Sequence, residues 1–195
     1  MAFEIYNEKM RETKLALAKE ISESKRTLDS SLIKAILFDY FRFQRGYLGA
    51  LSEFNFNGNI EDFIAFKRNE VIAVEVKISK SDFKHDFIKQ KYQKETSPYN
   101  KFYFCVPNAL KNFALELLKQ RDGNFFDKAK IGLMIIENDL NINIAKKAQY
   151  LRLKGDIFEI DNSAYNCGGF VYDNLAHYLI QQMSCELAKC KILKI

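Results

Sequence analysis

Val71-Ile72-Ala73-Val74-Glu75-Val76-Lys77-Ile78 is the stretch on which the reading of this chain turns. Its β-branched residues favour an extended backbone. A strand has a period of two, so Glu75 and Lys77 project from one face and Val74, Val76 and Ile78 from the other. An apolar strand carrying one carboxylate and one lysine must bury charge, which is costly unless the charges pair or hold a metal. Upstream, Ile60-Glu61-Asp62-Phe63 opens a second apolar strand and brings Asp62 to a strand end. Three charged groups are therefore expected to converge where paired strands end.

Working outward, Asn57-Gly58 and the polar turn Lys67-Arg68-Asn69-Glu70 punctuate three strands at 50–56, 62–66 and 71–78, a pattern of antiparallel hairpins. Before them, 7–25 mixes charges with a few apolar positions and reads as an exposed helix or arm. Thr27-Leu28-Asp29-Ser30-Ser31 supplies cap chemistry for a helix over 32–43, apolar on most sides and therefore expected to be buried. After the charged strand, Ser81 is a plausible cap for a helix reaching about Lys94. Buried strands are expected at 101–106, closed by Pro107, and at 130–137. A helix is expected over 109–120, an edge strand at 141–145 and a closing helix over 174–191. The order predicts an α/β fold with a mixed central sheet flanked by helices. The segment 155–169 has no clear pattern. The expected organisation is an N-terminal helical arm, 1–27, and a single domain, 28–195.

Composition limits the function classes. Hydrophobic residues make up 48% of the 195, and 17 Phe with 10 Tyr point to an aromatic core. No run approaches the roughly 18 apolar residues of a membrane span, and the start lacks the pattern of a signal peptide. The four cysteines form no CxxC pair, so free thiols in the cytoplasm are expected, with no membrane partner. Net charge is +5 from 30 basic and 25 acidic residues, which permits nucleic-acid binding without requiring it. Its distribution is more pointed: Lys77, Lys80, Lys84, Lys89, Lys91, Lys94 and Lys101 follow one another closely after the charged strand.

Phosphodiester hydrolysis must activate water and offset charge on the phosphoryl oxygens, and a divalent ion held by carboxylates does both. Mg²⁺ favours carboxylate oxygens and keeps several waters. Asp62 and Glu75 would supply the carboxylates and the Val76 carbonyl a further oxygen. Lys77, on the same face, can orient water or stabilise the transition state. The lysines that follow can contact phosphates, and an exposed tyrosine nearby could stack on bases.

Asp62 followed by Glu75-Val76-Lys77 resembles the motif of the PD-(D/E)XK nuclease superfamily. More narrowly, the runs 58–66, 71–77 and 81–86, then Tyr92, the strands at 101–107 and 131–136 and Lys146-Lys147-Ala148, resemble the MmcB-like DNA repair endonuclease branch. The resemblance covers about residues 28–150. It implies a restriction-endonuclease-like core and a Mg²⁺- or Mn²⁺-dependent deoxyribonuclease. Asp62, Glu75 and Lys77 would be catalytic, with Asp62, Glu75 and Val76 at the metal. DNA would be the partner, with Lys80, Lys84, Lys89, Lys91 and Tyr92 binding it, and a homodimer would serve to cut both strands. Two departures stand out. Ile60-Glu61 replaces the basic residues usual before the aspartate, and Glu61 should face away from Asp62. The glutamate many members carry on the first core helix has no clear counterpart, leaving Asp39 on that helix or Glu53 on the first strand as the third acid.

Competing readings are a structural ion pair on a sheet face, a DNA-binding protein that keeps the fold without cutting, and a small-molecule enzyme with a closed pocket. His85 and His177 read as solvated and structural. Cys185 and Cys190, five apart on a helix, do not share a face suited to a metal.

Overall fold

Three strands joined by short turns can only meander, and in the computed structural model they do: β1 (Gly49–Phe56), β2 (Asn59–Lys67) and β3 (Glu70–Val76) pair antiparallel in sequence order. The structure describes residues 2–56, 59–67, 70–86, 99–119 and 130–150. From β3 the chain crosses through α3 (Lys80–Asp86) to β4 (Lys101–Pro107), which runs parallel to it. A 3-10 turn (Asn108–Leu110) and α4 (Lys111–Lys119) lead to β5 (Gly132–Ile136), again parallel, and β6 (Ile142–Lys146) returns antiparallel. The result is an open, mixed six-stranded sheet in the order β1-β2-β3-β4-β5-β6, with helices on both faces.

The strands read as apolar runs because both faces of the sheet are covered. On one face Ile64, Val71, Ala73, Phe102, Phe104 and Leu133 meet Phe83 of α3 and Ala114 and Leu118 of α4. On the other, Phe63, Ala65, Ile72, Val74, Cys105 and Met134 meet Ile33, Ile36 and Leu37 of α2 (Ser30–Asp39). Aromatic edges lock the first layer: Phe104 lies 4.6 Å from Phe83 and 5.1 Å from Phe102, centroid to centroid, both edge-to-face. Every residue of β3 is buried.

Local chemistry sets the element ends. Asp29 caps α2 by accepting the Leu32 amide at 2.8 Å. That helix does not run on to 43 as an α-helix; it widens into a π turn at Tyr40–Gln44. The chain leaves it through Gly46, whose φ of +66° is open to a residue without Cβ. Gly132 serves a different need. A Cβ there would stand 2.2 Å from the Tyr103 ring and 2.7 Å from the Ala148 nitrogen.

Several expectations shift. α3 starts at Lys80, and Ser79 rather than Ser81 receives the Asp82 amide, at 3.1 Å. β2 extends to Asn59 because its pairing with β1 persists after β3 has parted from it at Phe63. The N-terminal helix α1 (Ala2–Ser22) is not exposed throughout: Leu17, Ala18 and Ile21 pack on the α2-side core and Lys14 is buried. Phe38 of α2, conversely, is exposed. The closing helix expected at 174–191 and the second half of the helix expected to reach Lys94 lie outside the described residues.

Candidate functional site

β2 and β3 stay in register as far as Phe63 opposite Val74, and one further step would set Asp62 across from Glu75. There the ladder ends. Asp62 Oδ2 instead accepts the Val76 amide at 2.9 Å. A side-chain carboxylate thus replaces a strand carbonyl as acceptor, which fixes Asp62 beside Glu75 and satisfies a backbone donor that is otherwise costly to bury. Its other oxygen, Oδ1, lies 3.7 Å from Lys34 Nζ of α2. Lys34 also pairs with Glu53 of β1. Glu53 lies between Ser52, paired with Phe63, and Phe54, paired with Glu61, so it falls at the level of Asp62; its φ of +52° is in the left-handed region that non-glycine residues rarely occupy.

Glu75 and Lys77 share the face that packs against α3, as their parity requires. Both are buried, at 2% and 3% exposure. Lys77 Nζ lies 3.2 Å from Glu75 Oε2, 3.1 Å from Asp86 Oδ2 and 3.9 Å from Asp82 Oδ1. Its amide is held by the Cys105 carbonyl of β4 at 2.9 Å. Burial pulls the lysine's pKa down, but the Glu75 and Asp86 carboxylates outweigh it, and the net shift is upward. Lys77 is therefore an ammonium at any ordinary pH. It can donate hydrogen bonds and offset negative charge, and it cannot act as a general base.

Two ion-pair groups adjoin through the Asp62–Val76 hydrogen bond: Lys34 with Glu53 and Asp62, and Lys77 with Glu75, Asp82 and Asp86, together five carboxylates to two ammoniums, a formal excess of three negative charges. Among the described residues no three acidic, histidine or cysteine side chains converge as a ready-made metal cage.

Of the residues singled out from the sequence, Asp62, Glu75, Val76 and Lys77 come together, and Glu53 joins them through Lys34. Asp39 does not. It pairs with Lys14 of α1 at 2.8 Å and Gln44 at 2.7 Å, in a separate cluster against α1. Glu61, read from the sequence as structural or surface and facing away from Asp62, is buried. The run of lysines divides. Lys77 is interior, and Lys101 lies at the far end of β4, paired with Glu70. Lys80 and Lys84 are exposed on α3, each above the Phe113 ring, at 5.5 and 5.8 Å. Lys89, Lys91 and Tyr92 lie outside the described residues. His85 is exposed. Cys105 is buried, and burial pushes its thiol pKa up, so it is no nucleophile.

Sequence reasoning missed Lys34, Asp82 and Asp86. The signals were there: Lys34 is a lone cation amid Leu32, Ile33, Ala35 and Ile36, and such a residue needs a partner. Asp82 and Asp86 stand four apart at the start of a helix, hence on one face.

No protein-family model matches the chain, and no curated protein does. Among solved structures, a protein of unknown function from Silicibacter pomeroyi (SPO1766) is similar over 85% of this chain and 94% of that one, at 18% identity and a TM-score of 0.58. That likeness concerns the fold alone. No helix among the described residues is long and apolar enough to cross a membrane.

Proposed function

We propose that this protein is a metal-dependent deoxyribonuclease built on a restriction-endonuclease-like core, acting on DNA in the cytoplasm. The observation that carries the reading is the fixing of Asp62 beside Glu75 by the Val76 amide, with Lys77 held cationic on the same face as Glu75. A site with excess negative charge repels a phosphate unless a cation balances it. Asp62, Glu75 and the Val76 carbonyl fit a Mg²⁺ or Mn²⁺ ion that keeps most of its waters, since such ions need only one or two carboxylates. The ion, when bound, would supply an activated water and offset phosphoryl charge. Lys77, kept protonated by Glu75 and Asp86, donates to a non-bridging phosphoryl oxygen as charge builds there. Lys34 neutralises Asp62 until substrate and ion arrive. Lys80 and Lys84, with Lys89, Lys91 and Tyr92 beyond them in sequence, would meet the DNA backbone. A second copy of the chain would be needed to cut both strands in one encounter.

One observation favours a second reading, a DNA-binding protein on the same fold that does not cut. Lys77 is engaged by three carboxylates, and among the described residues no third acidic, histidine or cysteine side chain joins Asp62 and Glu75. Cleavage of duplex, single-stranded and branched DNA with Mn²⁺ separates the two. The nuclease reading expects cleavage by the wild type and a loss of at least a hundredfold in Glu75→Gln and Lys77→Met variants that retain wild-type circular dichroism. Salt-sensitive DNA binding without cleavage by the wild type would establish the second reading instead.

A further inference from the structure

A second polar site lies at the other end of β3, on the other face of the sheet. A cavity of about 560 Å³ opens between the π turn after α2, Lys67 at the end of β2, Glu70 at the start of β3, Lys101 at the start of β4 and the residues that follow β6. That size suits a small-molecule ligand. Its charged lining comprises Arg45, Lys67, Lys101 and Lys147 against one carboxylate, Glu70. Its aromatic lining includes Tyr40, Tyr47, Tyr103 and Tyr150. Ile72, two residues from Glu70 on the same face, belongs to the α2-side core, whereas Glu75 faces α3. The two sites share a strand and nothing else.

Glu70 is 3% exposed and organises the cavity. It accepts the Tyr47 hydroxyl at 2.6 Å and the Tyr150 hydroxyl at 3.0 Å, and pairs with Lys101 at 2.5 Å and Lys67 at 3.1 Å. Three cations lie over tyrosine rings: Lys101 over Tyr150 at 4.5 Å, Lys67 over Tyr47 at 4.9 Å and Arg45 over Tyr40 at 5.8 Å. One buried anion thus holds two of the ammoniums and two of the phenols in place. The remaining formal charge is three positive. Arg45 and Lys147 are exposed at the mouth. A polyanion meets the excess charge, and the tyrosine faces suit a planar ring.

We infer that this cavity binds a free nucleotide, its phosphate met by Arg45, Lys101 and Lys147 and its base laid against the tyrosines. Four cations against one acid exclude a cationic or neutral occupant as the favoured one, and the aromatic lining distinguishes a nucleotide from bare phosphate.

Calorimetric titration of the full chain tests this with AMP, adenosine, inorganic phosphate and a 5′-phosphorylated oligonucleotide. AMP is expected to saturate and to bind at least tenfold more tightly than adenosine or phosphate. The double variant Arg45→Ala/Lys147→Ala changes two exposed side chains and should fold normally; it should bind AMP roughly tenfold more weakly. Glu75→Gln should bind AMP as the wild type does, which separates this site from the carboxylate cluster on the other face. The inference is overturned if AMP fails to saturate, if phosphate alone binds as tightly, or if the double variant is indistinguishable from wild type. Loss of AMP binding in Glu75→Gln also overturns it, as does tighter binding of the oligonucleotide through Arg45 and Lys147, which would assign the cavity to a strand end.

Discussion

Glu70 shows how one carboxylate is kept charged inside a fold. Burial raises its pKa, but Lys101, Tyr47 and Lys67 donate to it, and the balance is a fall from 4.5 to about 2. A group whose folded pKa is depressed contributes stability that is complete above its unfolded value and is lost as pH falls through the folded one. Wild type should therefore exceed Glu70→Gln by roughly 3 kcal/mol above pH 4.5. The gap should close between pH 4.5 and about 2. Urea unfolding of both proteins at stepped pH measures it, and a gap that stays constant through that window would remove Glu70 from this role. At this scale the sequence was informative about residues on one strand and silent about pairs between elements. The face shared by Glu75 and Lys77 follows from strand periodicity alone. Lys34 with Asp62, or Lys77 with Asp86, depends on how a helix lies against the sheet, which no local pattern specifies.

Among the elements, β1 carries the local conflict. Glu53 occupies a left-handed backbone conformation within a strand, at the level of Asp62. For a non-glycine residue this costs on the order of 1–2 kcal/mol. Its ion pair with Lys34 involves a carboxylate that is 62% exposed, and such pairs contribute little. Glu53→Gly should accordingly be as stable as wild type or gain up to about 1 kcal/mol, after glycine's own entropy cost is subtracted. Glu53→Ala keeps the backbone strain, loses the pair and should be the less stable of the two. Chemical denaturation of the three proteins ranks them, and Glu53→Gly falling below Glu53→Ala would show that the carboxylate outweighs the strain. Strain of this kind persists where the surroundings hold it in place, here beside the carboxylate cluster. Strand positions were legible because apolar runs and turn residues alternate cleanly from 49 to 76. The π turn at Tyr40–Gln44 was not, because an apolar helical run has the same composition whether its last turn is α or π.

For the whole molecule, the sheet order and the layered helices agree with an α/β reading of the sequence, since the apolar faces of the central strands find helices to cover them. The cluster of lysines did not survive folding as one patch, because sequence proximity across a crossover does not bring residues together: Lys101 sits where β4 begins and Lys77 where β3 ends. The DNA binding proposed for this chain should then depend on Lys80 and Lys84, which stay exposed on α3. Lys80→Ala/Lys84→Ala is expected to weaken duplex binding across sequences and to lower the slope of log affinity against log salt by about 1–2. Anisotropy titrations from low to moderate salt read this directly. An unchanged slope would move the DNA path away from α3.

β3 behaves as a ruler. Glu70 anchors one charged cluster near one end and one face of the sheet, and Glu75 and Lys77 anchor another at the opposite end and face. Because side chains alternate, gaining or losing one residue between them would turn one site's charges into the core of the wrong layer. A one-residue insertion or deletion in this strand would therefore disturb both clusters at once, whereas a substitution on a flanking helix touches one layer alone.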